Sequence, residues 1–261
     1  MPTYALLGAT GSTGSAIIRS LLSYPPKDLT LNVLVRSKAK LLKAFPDLEA
    51  TAAFRAYIVE GTSSDSTAMR ECLDNVDVIF CCIGSNEPRV GMSLIYDTAT
   101  VVIEALKYQQ KDQDSAYVPP TVIQLRSASL NKTLKAKAGW FAPNMAWFFF
   151  YHAYLDLDKA CKLFESESVE SPKLLDLIVV DPPSIHDPDG TVPTGHKLIL
   201  DDYQHPSLSY ADLGVAFCEV AERREEFVGQ AVGVTATGKV TETWGVLMGY
   251  MASGMKARMW C

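Results

Sequence analysis

The sequence has no apolar run approaching the ~20 residues that span a bilayer, and no basic segment precedes the first apolar run at about Thr3. A membrane partner and a secretory leader are both unexpected, and the expected location is cytoplasmic. The densest apolar stretch, Trp140 to Leu155, is interrupted by Pro143, Asn144 and His152. Positive charge is not in excess either, since 24 Lys and Arg stand against 30 Asp and Glu. A general nucleic-acid binder needs a basic surface to neutralise phosphates, so no nucleic-acid partner is expected. There is no CxxC pair among the six cysteines, Cys72, Cys81, Cys82, Cys161, Cys218 and Cys261. Adjacent Cys81 and Cys82 would point to opposite faces of a strand, and all six read as reduced, mostly buried thiols. The four histidines, His152, His186, His196 and His205, lack metal-like spacing, so no metal is expected. A GxSxG elbow, a Ser-His-Asp order and paired carboxylates are also missing, which leaves nucleophilic hydrolysis without support. The Asn131-Lys132-Thr133 sequon carries no weight in a chain without a leader.

What is present is ample core material, 48% hydrophobic residues against 21% charged, arranged as β-rich runs alternating with helical stretches. The runs are Tyr4 to Leu7, Leu31 to Val35, Ala56 to Val59, Val76 to Ile83, Thr121 to Leu125 and Leu174 to Val180. Continuous apolar character predicts parallel strands buried on both faces, with helices on both sides. Those helices are predicted over Ser15 to Ser23, Ser66 to Leu73, Leu94 to Tyr108 and Met145 to Phe164. Gln109 to Pro120 reads as a polar surface loop. Beyond the sixth strand the pattern loosens through His186 to Tyr203, resumes as a helix over Tyr210 to Glu222, and leaves room for a strand at Ala231 to Val234. The 261 residues fit one domain, 1–261, with 186–210 and 236–261 as extensions.

The strongest motif follows the first strand and opens a helix: Gly8, Ala9, Thr10, Gly11, Ser12, Thr13, Gly14. Gly8 permits the tight turn, Gly11 lets the backbone approach a pyrophosphate, and Gly14 lets helix and strand pack closely. Free amides at the helix N-terminus then face the phosphates. The fold this predicts is α/β, a Rossmann-type doubly wound parallel sheet with helices on both faces and a small C-terminal substrate-binding extension. About 20 residues past the last glycine, an NAD-binding chain places a carboxylate on the ribose 2'-hydroxyl. Here Arg36 stands there, followed by Ser37 and Lys38, a set suited to the 2'-phosphate of NADP(H). The ordinary alternative is a solvated arginine at a strand end.

With GATGSTG at 8–14, VRSKAK at 35–40, Cys82-Ile83-Gly84, Val180 to Ser184 and Tyr210 to Gly214, the whole chain resembles the atypical short-chain dehydrogenase/reductases that include NmrA-like proteins. Arg126 to Asn131, with the aromatic helix and the Asp-Pro-Pro turn, more narrowly resembles fungal reductases of polyketide secondary metabolism. The resemblance implies that Cys82 and Gly84 lie at the adenosine half, Ser127 near the nicotinamide, and Pro182, Pro183 and Ser184 along its edge. Each has a plainer role as a strand end, turn cap or loop residue.

The family's usual catalytic pair is Tyr and Lys four residues apart on one helix, and this sequence lacks it. Lys159 is where that lysine is expected, but Leu155 precedes it by four and Tyr154 is one position out of register, about 100° around the helix. His152 is better aligned but about two turns away, and it can equally be a packing residue. Lys159 is also a candidate contact to the cofactor, and it can equally be a surface partner of Asp156. Tyr154, His152, Lys159 and Ser127 are thus the catalytic candidates. The leading expectation is an NADPH-dependent oxidoreductase for a small apolar or aromatic, polyketide-like carbonyl, enone or quinone. The alternatives are non-redox isomerisation, dehydration or ring opening on the same scaffold, and an NADP-sensing regulator like NmrA. A homo-oligomer is compatible with all three.

Overall fold

A computed structural model describes residues 1–85 and 89–259, so Cys261 lies outside the described residues. Eight strands form the central sheet, in the spatial order Arg55–Glu60, Thr30–Val35, Thr3–Leu7, Val78–Cys81, Thr121–Leu125, Asp176–Asp181, Ala231–Ala236 and His196–Ile199. The first five units alternate as expected: β1 (Thr3–Leu7), α1 (Ser12–Ser23), β2 (Thr30–Val35), α2 (Lys38–Ala44), β3 (Arg55–Glu60), α3 (Ser66–Cys72), β4 (Val78–Cys81), α4 (Leu94–Gln113) and β5 (Thr121–Leu125). Short α5 (Lys132–Lys137) leads to α6 (Phe141–Phe149), α7 (Tyr151–Val169) and β6 (Asp176–Asp181). The rest comprises β7 (Ser184–His186), β8 (His196–Ile199), β9 (Ser207–Ser209), α8 (Tyr210–Glu222), α9 (Arg224–Phe227), β10 (Ala231–Ala236) and α10 (Trp244–Met259). All neighbours in the large sheet run parallel except β8, which is antiparallel to β10; β7 and β9 form a separate parallel pair.

The doubly wound arrangement follows from strand alternation. Tyr4 and Leu6 face one core with Ile17, Ile18 and Leu21 of α1 and Leu213 and Phe217 of α8. Ala5 and Leu7 face the other, with Met69 of α3, Val102 of α4 and Phe164 of α7. Apolar residues are therefore needed at every position of the inner strands.

Four expectations are corrected. β3 is an edge strand whose Arg55 and Tyr57 are exposed, so it is not buried on both faces. The fourth strand spans only Val78–Cys81 of the expected Val76 to Ile83, although Cys82 N still donates to Leu7 O. The presumed loop Gln109 to Pro120 begins as helix, because α4 runs on to Gln113 before a 3-10 turn at Asp114–Ala116. Its glutamines are spent on the packing, with Gln109 donating to Leu73 O at 2.8 Å and Gln110 to Lys173 O at 3.1 Å. The long aromatic helix is two helices, since Phe150, at φ -103° and ψ 19°, breaks the run between α6 and α7.

α1 and α8 cross where Gly214 meets Ala16. A Cβ on Gly214 would stand 2.5 Å from the Ala16 carbonyl carbon and 2.6 Å from its oxygen. Backbone cannot yield as a side chain would, so Gly214→Ala is expected to destabilise the protein by about 2 kcal/mol through overpacking. Urea unfolding tests this, and an unchanged midpoint would mean that the helices separate freely.

Candidate functional site

The glycine turn sits at the C-terminal edge of β1, where ligands bind open α/β sheets. Gly8 has φ +94°, and a Cβ there would lie 2.7 Å from Cys82 O, so both backbone conformation and the neighbouring strand end require glycine. Gly14 is pressed against the turn, its added Cβ meeting Gly8 O and standing 2.7 Å from Ala9 Cα. Gly11 differs: an added Cβ would meet only Gly8 O at 3.3 Å, leaving its outer side open. Helix α1 starts at this point with no side-chain cap and no acidic residue in its first turn. Ser37, Asp65, Asn131 and Ser209 cap α2, α3, α5 and α8, whereas α6, α7 and α9, like α1, start without a side-chain cap. The amides of Ser12, Thr13 and Gly14 have no intrahelical acceptor. A bare helix start beside an open glycine fits a dinucleotide pyrophosphate. Thr10 lies exposed at the same turn.

At the end of β2, Arg36 is exposed and makes no hydrogen bond or ion pair among the described residues. Its neighbours are engaged. Ser37 Oγ accepts from Lys40 N at 3.2 Å as the α2 cap, and Lys38 Nζ pairs with Glu49 at 2.8 Å. Past β4, the Cys82 carbonyl packs on Gly8, burial pushes the Cys82 thiol pKa up, and Gly84 is exposed with open space where a Cβ would stand.

Beside this turn, the loops after β5 and β6 are joined. Register partners Leu125 and Val180 put Arg126 and Asp181 side by side. Arg126 Nε and Nη2 grip the Asp181 carboxylate at 2.8 and 2.7 Å, and Asn131 Nδ2 adds a third bond at 2.8 Å. Ala128 N donates to Pro182 O at 3.0 Å. Sequence reading missed this clamp, although both charges stand immediately past the apolar runs Thr121 to Leu125 and Leu174 to Val180.

Between those loops and α7, Ser127 Oγ and Tyr154 Oη lie 3.1 Å apart in a hydrogen bond. Burial raises the Tyr154 pKa, while bonding to the Ser127 and Ser129 hydroxyls opposes this, so the phenol is protonated at neutral pH and either oxygen of the Ser127–Tyr154 bond can be its donor. Trp147 and Phe150 flank the Tyr154 ring, each with centroids 5.9 Å away. The other catalytic candidates do not join this bond. His152 packs against Tyr151, ring centroids 5.2 Å apart. Exposed Lys159 lines a concavity of about 480 Å³ with Met92, Tyr96 and Lys162. Nor is Asp156 its surface partner: the buried carboxylate accepts from Ile95 N at 2.9 Å and Tyr96 N at 3.0 Å, capping α4. Pro183 and Ser184 follow Pro182 into β7.

Among the described residues no helix is long and apolar enough to cross a membrane, and no group of three or more His, Cys, Asp or Glu side chains could hold a metal. Residues 8–216 match the family described as NAD(P)H-binding. The chain is 50% identical to averufin oxidase A of Dothistroma septosporum, over 99% of this chain and 92% of that protein. It is 46% identical to averufin oxidase A of Aspergillus flavus, over 99% and 91%. The fold is shared with a short-chain dehydrogenase/reductase of Veillonella parvula solved in complex with NADP, at 16% identity and a TM-score of 0.62, covering 91% of this chain and 95% of that one.

Proposed function

The chain belongs to the NAD(P)H-binding family and is an oxidoreductase with a small-molecule substrate, and we propose that it uses NADPH to act on averufin or a closely similar polyketide-like aromatic carbonyl or quinone. The observation that carries the reaction is the Ser127–Tyr154 bond of 3.1 Å, lying beside the joined β5 and β6 loops at the ligand-binding edge of the sheet. A bound nicotinamide supplies hydride chemistry at its C4. The protein's part is to hold a proton at Tyr154 Oη, oriented by Ser127, and deliver it to the substrate oxygen. The amides of residues 12–14 bind the pyrophosphate, with Thr10 and Gly11 lining the approach. Gly84 and the Cys82 backbone border the adenosine half, and Pro182, Pro183 and Ser184 the nicotinamide. Segments 186–210 and 236–261 serve as extensions of a single domain, closing the substrate side. Aromatic neighbours of Tyr154 exclude water from the proton and suit a flat apolar substrate. The test is loss of NADPH absorbance at the expense of averufin, with product identified by mass spectrometry; an inert mixture would refute the assignment.

Preference for NADPH rests on Arg36, which has no hydrogen-bond or ion-pair partner among the described residues and stands where a carboxylate would repel the 2'-phosphate. Arg36→Asp is expected to invert the preference, weakening NADPH by roughly tenfold, about 1.4 kcal/mol, and improving NADH. Titration calorimetry of both nucleotides decides this. Equal affinities in the parent protein would remove the 2'-phosphate from the assignment.

A further inference from the structure

The β7/β9 pair has one apolar face and one polar face. Ile185 and Leu208 pack into the core containing α1 and α8, and the intervening residues Ser184, His186, Ser207 and Ser209 share the opposite side in register. Residues 242–244 cover that side. Ser207 Oγ donates to Glu242 at 2.7 Å, Thr243 N donates to His186 Nδ1 at 3.1 Å, and the Trp244 ring leans edge-on over the imidazole with centroids 5.3 Å apart. Ser209 is also satisfied, donating to Asp212 at 2.6 Å.

Two groups on this face are not satisfied. Ser184 Oγ and His186 Nε2 are buried without a hydrogen-bond partner among the described residues, and His186 is only 1% exposed. Because His186 Nδ1 is an acceptor, the neutral ring carries its proton on Nε2. Burial holds the ring in that neutral form, with Glu242 opposing. An enclosed donor with nothing to donate to is rare and calls for a missing acceptor. Position supplies a candidate. β7 starts two residues after Pro182, whose carbonyl takes the Ala128 N–H beside Ser127. At about 3.3 Å per residue, His186 lies within roughly 13 Å of Pro182 along the strand. Trp244, half exposed, is the aromatic residue that covers the imidazole on its outer side.

We infer that the His186 Nε2–H and the Ser184 hydroxyl form a donor pair that holds a carbonyl or phenolic oxygen of the substrate. This rests on the aromatic substrate proposed above, and it gives Ser184 a substrate contact in addition to its place on the nicotinamide edge.

The test uses the full chain loaded with NADP+, with averufin and 1,8-dihydroxyanthraquinone as probes, binding being read by equilibrium dialysis and averufin KM and kcat by turnover. His186→Leu is expected to weaken both probes and raise KM by about tenfold, with smaller change in kcat and unaltered nucleotide affinity. His186→Gln, which returns an N–H donor, should restore affinity to within about threefold of the parent. Ser184→Ala should weaken binding several-fold, and decides the matter if the leucine variant does not fold. Unchanged probe affinity in Ser184→Ala and in whichever His186 variants fold, the outcome if the two donors hold only a trapped water, overturns the inference. So does failure of the parent protein to bind either probe. Donor-dependent probe binding without averufin turnover would instead refute the proposed reaction and leave the donor pair standing.

Discussion

Gly11→Val is expected to reduce NADPH affinity by roughly a thousandfold, about 4 kcal/mol, in a protein that still folds. The isopropyl group would fill the open side of the turn, where the pyrophosphate must approach the backbone. Folding is spared because Gly11 has φ -82°, in a region open to any residue, and an added Cβ meets nothing closer than Gly8 O at 3.3 Å. Gly14 provides the contrast. Its Cβ would run into Gly8 O and Ala9, so Gly14→Val should fail at folding rather than at binding. Circular dichroism with nucleotide titration separates the two. Undiminished affinity in folded Gly11→Val protein would show that the phosphates bind elsewhere.

Tyr154→Phe should lower turnover by ~100-fold or more with NADPH affinity unchanged, the usual scale for a lost general acid. The phenol is half-buried, bonded to Ser127 and kept protonated, while its ring alone supplies the packing against Trp147 and Phe150. The variant therefore keeps the shape and removes the proton. Ser127→Ala should have the same direction of effect and a smaller size, since it disturbs only the phenol's orientation. His152→Ala is the control, because His152 does not join the Ser127–Tyr154 bond. A melting temperature equal to the parent's is required for the comparison. Full turnover by Tyr154→Phe would mean that the proton comes from water, substrate or another side chain.

What could be read from the sequence was local in the chain. The turn at Gly8 to Gly14 is a strand, a loop and a helix start in immediate succession, so residue type and spacing specify it without reference to distant residues. The inner strands were legible because burial on both faces leaves continuous apolar runs. Where partners lie far apart, the signal fails. Asp156 was weighed as a neighbour of Lys159 three positions along the helix, yet its bonds go to the amides of Ile95 and Tyr96 across the α4–α7 contact. Tyr154 looked misplaced by the family's spacing, but that spacing concerns lysine, and the bond found here is to Ser127 in another loop. Polar composition suggested a loop over Gln109 to Pro120 because the carbonyl acceptors of Gln109 and Gln110 belong to residues 36 and 63 positions away. Four-residue β8 carries too short a pattern to announce that it would close the sheet against β10.

The crossing of α1 and α8 has a bearing on how the chain is made. The apolar side of the helix that opens at the glycine turn is covered by Leu213, Ala216 and Phe217, almost two hundred residues later. As the polypeptide leaves the ribosome, Ile17, Ile18 and Leu21 emerge early and wait for their cover until the segment up to Glu222 has been synthesised. The nucleotide-binding half thus appears well before the helix that completes it. Expressing residues 1–125 by themselves would leave that surface bare and prone to aggregation, and a nascent chain stalled before Tyr210 should be a client of chaperones.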